Sequence, residues 1–317
     1  MNQLLFLEPV PVQKPWGGHR LKDDFSIRTS LDHIGECFCI SANTEFSSII
    51  RGGLYDGVSL YELWHSRPEL FGENNTSDRE FPLLIKLIEA VDRLSVQVHP
   101  DDLYARLHND GHCGKNECWY ILDCSEDAEI VYGHTADSVA EARDLIDHGA
   151  WDRLLRTVPI QKGDVVPIHA GTIHSLCGNT LIYEVQQNSN VTYRLYDYGR
   201  IWQGKRRPLH IQKASEVLDA PSRPDIVHPD EVICNSLTPL IHTQYFDLNY
   251  LEITVPFLLS SGSSFQCVTI VDGFGKISGS LINKGDSFIV LSRSNALLDG
   301  QLTALIASPI YDTRQKV

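Results

Sequence analysis

The stretch Leu94-Ser95-Val96-Gln97-Val98-His99-Pro100 alternates apolar and polar residues. In an extended strand successive side chains point to opposite faces, so Ser95, Gln97 and His99 share one side and Leu94, Val96 and Val98 the other. A polar face opposite an apolar one ordinarily meets solvent. Here the flanking sequence is itself apolar and strand-like, and the polar face is expected to line the interior of a β-barrel. A second alternating piece, Gly114-Lys115-Asn116-Glu117-Cys118-Trp119-Tyr120, sets Lys115, Glu117 and Trp119 on one face. A third runs from Gly163-Asp164 to Gly171-Thr172-Ile173-His174 and reads as a strand, a glycine turn and a histidine.

Working outward, 22 glycines and 15 prolines punctuate short runs rich in β-branched and aromatic residues. Short strands separated by turns predict an all-β dominated chain. Helical signals are few. Leu60–Arg67 reads as a short helix, and Pro82–Ala90 as either a helix or a buried strand. The clearest is a helical excursion over 138–155, with Ser138 as N-cap, Glu141 three residues on, and a break at Gly149. A proline-rich linker is expected over 221–235, dividing a first β unit over 1–220 from a second over 236–317. Lys162-Gly163-Asp164 recurs as Lys284-Gly285-Asp286, each opening an apolar run, but only the first leads to a histidine. Two similar β units, one of them without a metal-competent histidine, would account for this.

Composition sets limits. The 317 residues are 42% hydrophobic and 21% charged, as in a globular protein. A net charge of −14 excludes nucleic acid as the main partner but leaves room for a small phosphorylated ligand held by a local cation cluster. No apolar run is long enough to span a membrane, and the first residues lack a signal peptide's basic start, so a cytoplasmic location is expected. The eight cysteines form no CxxC pair and read as reduced thiols.

Two histidines and a carboxylate from separate strands make a ligand set suited to zinc, iron or manganese, with positions open for water or substrate. His99, Glu117 and His174 are the candidates. The spacing of Gly163, Gly171 and His174 resembles the second cupin motif. Trp16-Gly17-Gly18, Gly35-Glu36-Cys37, Gln97-Val98-His99-Pro100-Asp101, Lys115-Asn116-Glu117-Cys118 and Tyr193-Arg194-Leu195-Tyr196-Asp197-Tyr198 resemble the type I mannose-6-phosphate isomerases, most of all their short bacterial form. The resemblance covers nearly the whole chain, is dense from 81 to 200 and fades after 235. Pro167 and His169 depart from it, standing where a tyrosine and a proline are more usual.

The resemblance implies two cupin, or jelly-roll, β units, the second degenerate. It implies one Zn2+ per chain on His99, Glu117, His174 and Gln97, and interconversion of mannose 6-phosphate and fructose 6-phosphate through a cis-enediol. Arg194 falls on the family's essential arginine. Ser95, Lys86, Arg200 and Trp16 fall on substrate-binding positions, with Ser95, Lys86 and Arg200 as candidates for the phosphate. Glu184, Lys115 and a metal-bound hydroxide are the alternatives for the base. His169 is not expected to be a ligand. The basic run Lys205-Arg206-Arg207 reads as a solvated loop face. A two-histidine, one-carboxylate iron oxygenase and a non-catalytic sugar-binding cupin are the competing readings.

Overall fold

Strands dominate the chain because residues that fit a pleated, half-buried surface recur between its glycine and proline turns. The computed structural model describes residues 4–73, 75–108, 113–229 and 232–311. By proximity of Cα atoms the chain divides into two compact units. One comprises Gln13–Gly18 and Ile88–His228, the other Met1–Val12, His19–Leu87 and Pro229–Val317. This differs from the contiguous partition expected from the sequence. The cause is long-range strand pairing: Leu4–Glu8 lies antiparallel to both Ser287–Val290 and Ile49–Arg51. Nor is the expected linker free at its start. The His134 N–H donates to the Ser222 carbonyl at 2.9 Å, and Val227 bridges Val165. Residues 230 and 231 of that stretch lie outside the described residues.

In the unit built on Ile88–His228, eight strands matter: β1 (Val96–Val98), β2 (Glu117–Cys124), β3 (Glu129–His134), β4 (Leu155–Pro159), β5 (Val165–Ile168), β6 (His174–Leu176), β7 (Thr180–Gln187) and β8 (Tyr193–Tyr196). β2 pairs with β5 and β7, while β8, β1, β6, β3 and β4 neighbour one another in that order. Trp119, Ile121, Ile130, Ile168, Leu176 and Ile182 form one buried cluster. Val96 and Val98 belong to another, under Ala142, Leu145 and Ile146 of the helix Val139–Asp147 and Ala214 of the helix Ile211–Val217. Ser95 and His99 of the opposite, polar face are buried as well, so both faces of this strand are sequestered. Leu94 is the exception to the alternation. It precedes the strand and joins the Trp119 cluster rather than Val96 and Val98.

The helical excursion appears as Val139–Asp147 and Trp151–Leu154, separated at Gly149 with φ 62°. Ser138 Oγ accepts the Glu141 N–H at 3.2 Å, and Glu141 reaches back to the Asp137 N–H at 2.9 Å. Leu60–Ser66 is a helix, and Leu83–Ala90 resolves as a strand. In the other unit, the long strand Gln266–Ile277, bulged between Ile270 and Asp272, is followed by Ser280–Asn283. All eight cysteines are free thiols. Among the described residues no helix is long and apolar enough to cross a membrane.

The tripeptide repeat is a repeat of structure. Gly163 and Gly285 have φ 94° and 96°. Asp164 Oδ2 accepts the Gln161 N–H at 2.9 Å, and Asp286 Oδ2 accepts the Asn283 N–H at 2.8 Å. Each glycine donates to a strand carbonyl, that of Ile121 or Ile270, and each of those residues donates back to the aspartate carbonyl. The surroundings differ. A Cβ on Gly163 would meet nothing within 4 Å, whereas one on Gly285 would lie 2.2 Å from the Phe25 carbonyl oxygen. Gly163→Ala should therefore cost about 1–3 kcal/mol of positive-φ strain alone, and Gly285→Ala clearly more. Urea unfolding of the two variants checks the order.

Candidate metal centre

Cross-strand register assembles the ligand set. His174 on β6 and Arg194 on β8 both stand opposite Gln97 on β1. Glu117 opens β2, opposite Gln186 of β7 and Ile168 of β5. The ligand atoms of His99, Glu117 and His174, all three residues buried, lie within 4.8 Å of one another. His174 Nε2 is 3.2 Å and His99 Nε2 3.7 Å from Glu117 Oε1.

The far sides of both imidazoles are tied to the backbone. His99 Nδ1 bonds the Val191 carbonyl at 2.8 Å and His174 Nδ1 the Thr172 carbonyl at 2.9 Å. A carbonyl only accepts, so each Nδ1 carries the hydrogen and each Nε2 faces Glu117. Burial, reinforced by the Lys115 ammonium, pushes the His99 imidazole down to about 3, so it is neutral and its Nε2 is a bare lone pair. Burial alone would raise the Glu117 carboxyl. Lys115 above all, with His99 and His174, outweighs that and holds it well below the usual carboxylate range. Lys115 Nζ is 2.6 Å from Glu117 Oε2 and 3.4 Å from His99 Nε2. Lys115 thus forms an ion pair with one carboxylate oxygen, while the other faces both imidazoles. An ionised, buried carboxylate facing imidazole nitrogens fits a divalent cation. Gln97 Nε2 is 3.2 Å from His174 Nε2, and a half-turn of the amide would put its oxygen there instead.

Other expected residues stand around this core. The Trp119 ring meets His174 edge-on with centroids 5.5 Å apart, and its Nε1 donates to Glu184 Oε2 at 3.0 Å. Arg194 Nε donates to Ser95 Oγ at 3.2 Å and Nη1 to the Pro208 carbonyl at 2.9 Å. Arg200 bonds Asp92 and the Arg93 carbonyl, and its Nη1 stands 3.7 Å from Asp197 Oδ1. Trp16 is buried in the Trp119 cluster. Lys86 falls in the other unit, buried, its ammonium 5.1 Å from the Phe38 ring centre. After Pro167 and His169 the chain turns at Gly171. Gly171 has φ 88°, a Cβ there would lie 2.5 Å from Asp219, and its N–H donates to the His99 carbonyl at 2.9 Å. His169 stays outside the ligand cluster, as expected.

A family model described as the phosphomannose isomerase type I catalytic domain matches residues 4–131. Mannose-6-phosphate isomerase ManA of Bacillus subtilis is 40% identical over 293 residues, which are 90% of this chain and 92% of that protein. The chain belongs to the type I phosphomannose isomerases. The crystal structure of the mannose 6-phosphate isomerase from Bacillus subtilis matches with a TM-score of 0.91 at 36% identity, covering 96% of this chain and 99% of that one. A zinc-bound mannose 6-phosphate isomerase shares the fold at a TM-score of 0.78 and 13% identity, covering 98% of this chain and 100% of that one.

Within this family member, the carbonyls of Val191 and Thr172 escaped the sequence reading, because a backbone acceptor leaves no side-chain signature. Glu117→Gln should lower retained divalent metal by more than about tenfold, since altering even a residue behind the ligands costs that much. His169→Ala should leave it unchanged. Elemental analysis of dialysed protein, with the absorption spectrum of a cobalt-loaded sample, measures both.

Proposed function

We propose that the chain interconverts mannose 6-phosphate and fructose 6-phosphate through a cis-enediol, with one Zn2+ per chain held by His99, Glu117, His174 and the Gln97 amide oxygen. The observation that carries this reading is the buried His99–Glu117–His174 cluster, whose three ligand atoms lie within 4.8 Å of one another. When bound, zinc would act as the electrophile that polarises the sugar's carbonyl oxygen.

The rest is work for the chain's own residues. The C2–H bond breaks, its electron pair becomes the C1–C2 double bond, and the carbonyl oxygen at C1 takes up a proton. Protonation at C1 and loss of the O2 proton then give the ketose. The Lys115 ammonium, whose Nζ stands beside two members of the cluster, is assigned to supply the proton that the carbonyl oxygen takes up. Glu184 gives one oxygen to the Trp119 indole, which packs edge-on against His174, and we assign its other oxygen to taking the C2 proton and returning it at C1. Arg194, across from Gln97, stabilises the charge developing on the enediol oxygens and orients the sugar. Ser95 and Arg200 are assigned to the phosphate, and Trp16 to the wall of the sugar site.

The iron-oxygenase and non-catalytic alternatives share the donor triad but give no reason for the cations near it or for the family. A coupled assay for fructose 6-phosphate should show turnover that chelation abolishes and zinc restores. Absence of turnover in zinc-loaded protein would sink the isomerase reading. Arg194→Ala should lower kcat by about 10²–10³-fold, the scale of losing one transition-state donor, with metal content unchanged.

A further inference from the structure

The basic run Lys205-Arg206-Arg207 divides in the structure. Lys205 and Arg206 pair with Ile201–Trp202 in an exposed hairpin, as a solvated loop face should. Arg207 turns inward, its side chain 19% exposed, and donates through Nε to Asp197 Oδ2 at 2.9 Å and through Nη2 to Oδ1 at 2.5 Å. Asp197 is itself buried. The Arg207 guanidinium also lies 4.9 Å from the centre of the Trp16 ring, whose backbone carbonyl is held by the Val91 N–H. A two-pronged guanidinium–carboxylate pair stacked on a buried indole is fixed in direction and in plane, which an ammonium could not be.

The next residue is Pro208, whose carbonyl accepts from Arg194 Nη1. Two residues further, the His210 N–H donates to the Arg194 carbonyl at 2.8 Å. Arg194 is thus held on one side by Ser95 and on the other by a loop whose anchor is Arg207. The geometry points to Arg207 as a positioning residue: with Asp197 and Trp16 it clasps the loop 197–210, so that the Pro208 carbonyl orients the Arg194 guanidinium. Resting on the isomerase reading above, this role requires the planar fork of Arg207, not merely its charge.

Arg207→Met and Arg207→Lys, made in the full-length zinc-loaded protein, test it. Both should lower kcat by about tenfold or more while KM for mannose 6-phosphate stays within about twofold, the pattern of a group misplaced for the transition state only. Lys205→Ala and Arg206→Ala should change neither. Near-normal turnover by Arg207→Lys would overturn the proposal, because charge alone would then suffice. A rise in KM with kcat unchanged would overturn it too, assigning Arg207 to ground-state binding. Hydrogen exchange at the His210 amide gives a readout independent of turnover. It should quicken in Arg207→Met, and an unchanged rate would refute the clasp. Should the parent protein itself fail to turn over mannose 6-phosphate, the isomerase reading falls, and the exchange measurement still decides whether the clasp exists.

Discussion

A carboxylate buried among two imidazoles and an ammonium is the constraint on which the functional unit depends. Moving an ion out of water costs several kcal/mol even after relaxation, so Glu117 remains ionised only because compensating charge and dipoles are built around it. Lys115, two residues earlier on the same face, supplies the nearest charge. The imidazoles, each tied behind to a backbone carbonyl, turn their Nε2 atoms towards that carboxylate. The strand registers around Gln97 keep the members of the cluster from relaxing away from one another, so its donor atoms stay gathered.

The paired Lys-Gly-Asp turns show how one local structure can serve opposite ends. Both open a buried strand with the same hydrogen bonds. After the first, the chain returns through Gly171 to His174, and its unit sequesters Glu117, His174 and Gln186 at no more than 3% exposure. After the second, Phe288 and Val290 join Leu251, Val268, Ile270 and Ile306 in an apolar core. Close-packed hydrophobic side chains leave no place for an unpaired ligand group. What separates the two units is the filling of the interior, with the turn common to both.

Local periodicity carried much of this into view. The alternation over 95–99 and 115–119 placed His99 and Glu117 on sequestered faces, and the excursion over 138–155 was legible from its cap, its apolar spacing and Gly149. Leu94 was misassigned because alternation holds only within a strand, and that strand starts at Val96. The pairing of Leu4–Glu8 with residues some 280 positions away was not legible, since no local pattern exists for it. Lys205-Arg206-Arg207 looked uniform for the same reason. Its one inward member is distinguished only by Asp197, ten residues back, and by Trp16 in a distant stretch.

That arginine also resolves an apparent conflict in the composition. A chain with net charge −14 is a poor partner for polyanions, yet a sugar phosphate is proposed as its substrate. Charges beyond about 8–10 Å are largely screened at physiological ionic strength, so the sign of the whole molecule matters little at a pocket. Within that range Arg194, Arg200 and Arg207 are gathered with one buried carboxylate, Asp197, near enough that Arg207 perturbs Arg194 and Arg200 approaches Asp197 to 3.7 Å. Two acids, buried Asp197 and the more exposed Asp92 beside Arg200, among three guanidiniums still leave a local excess of one positive charge. The acidic remainder of the surface disfavours long polyanions, and the cluster is matched to a small dianion.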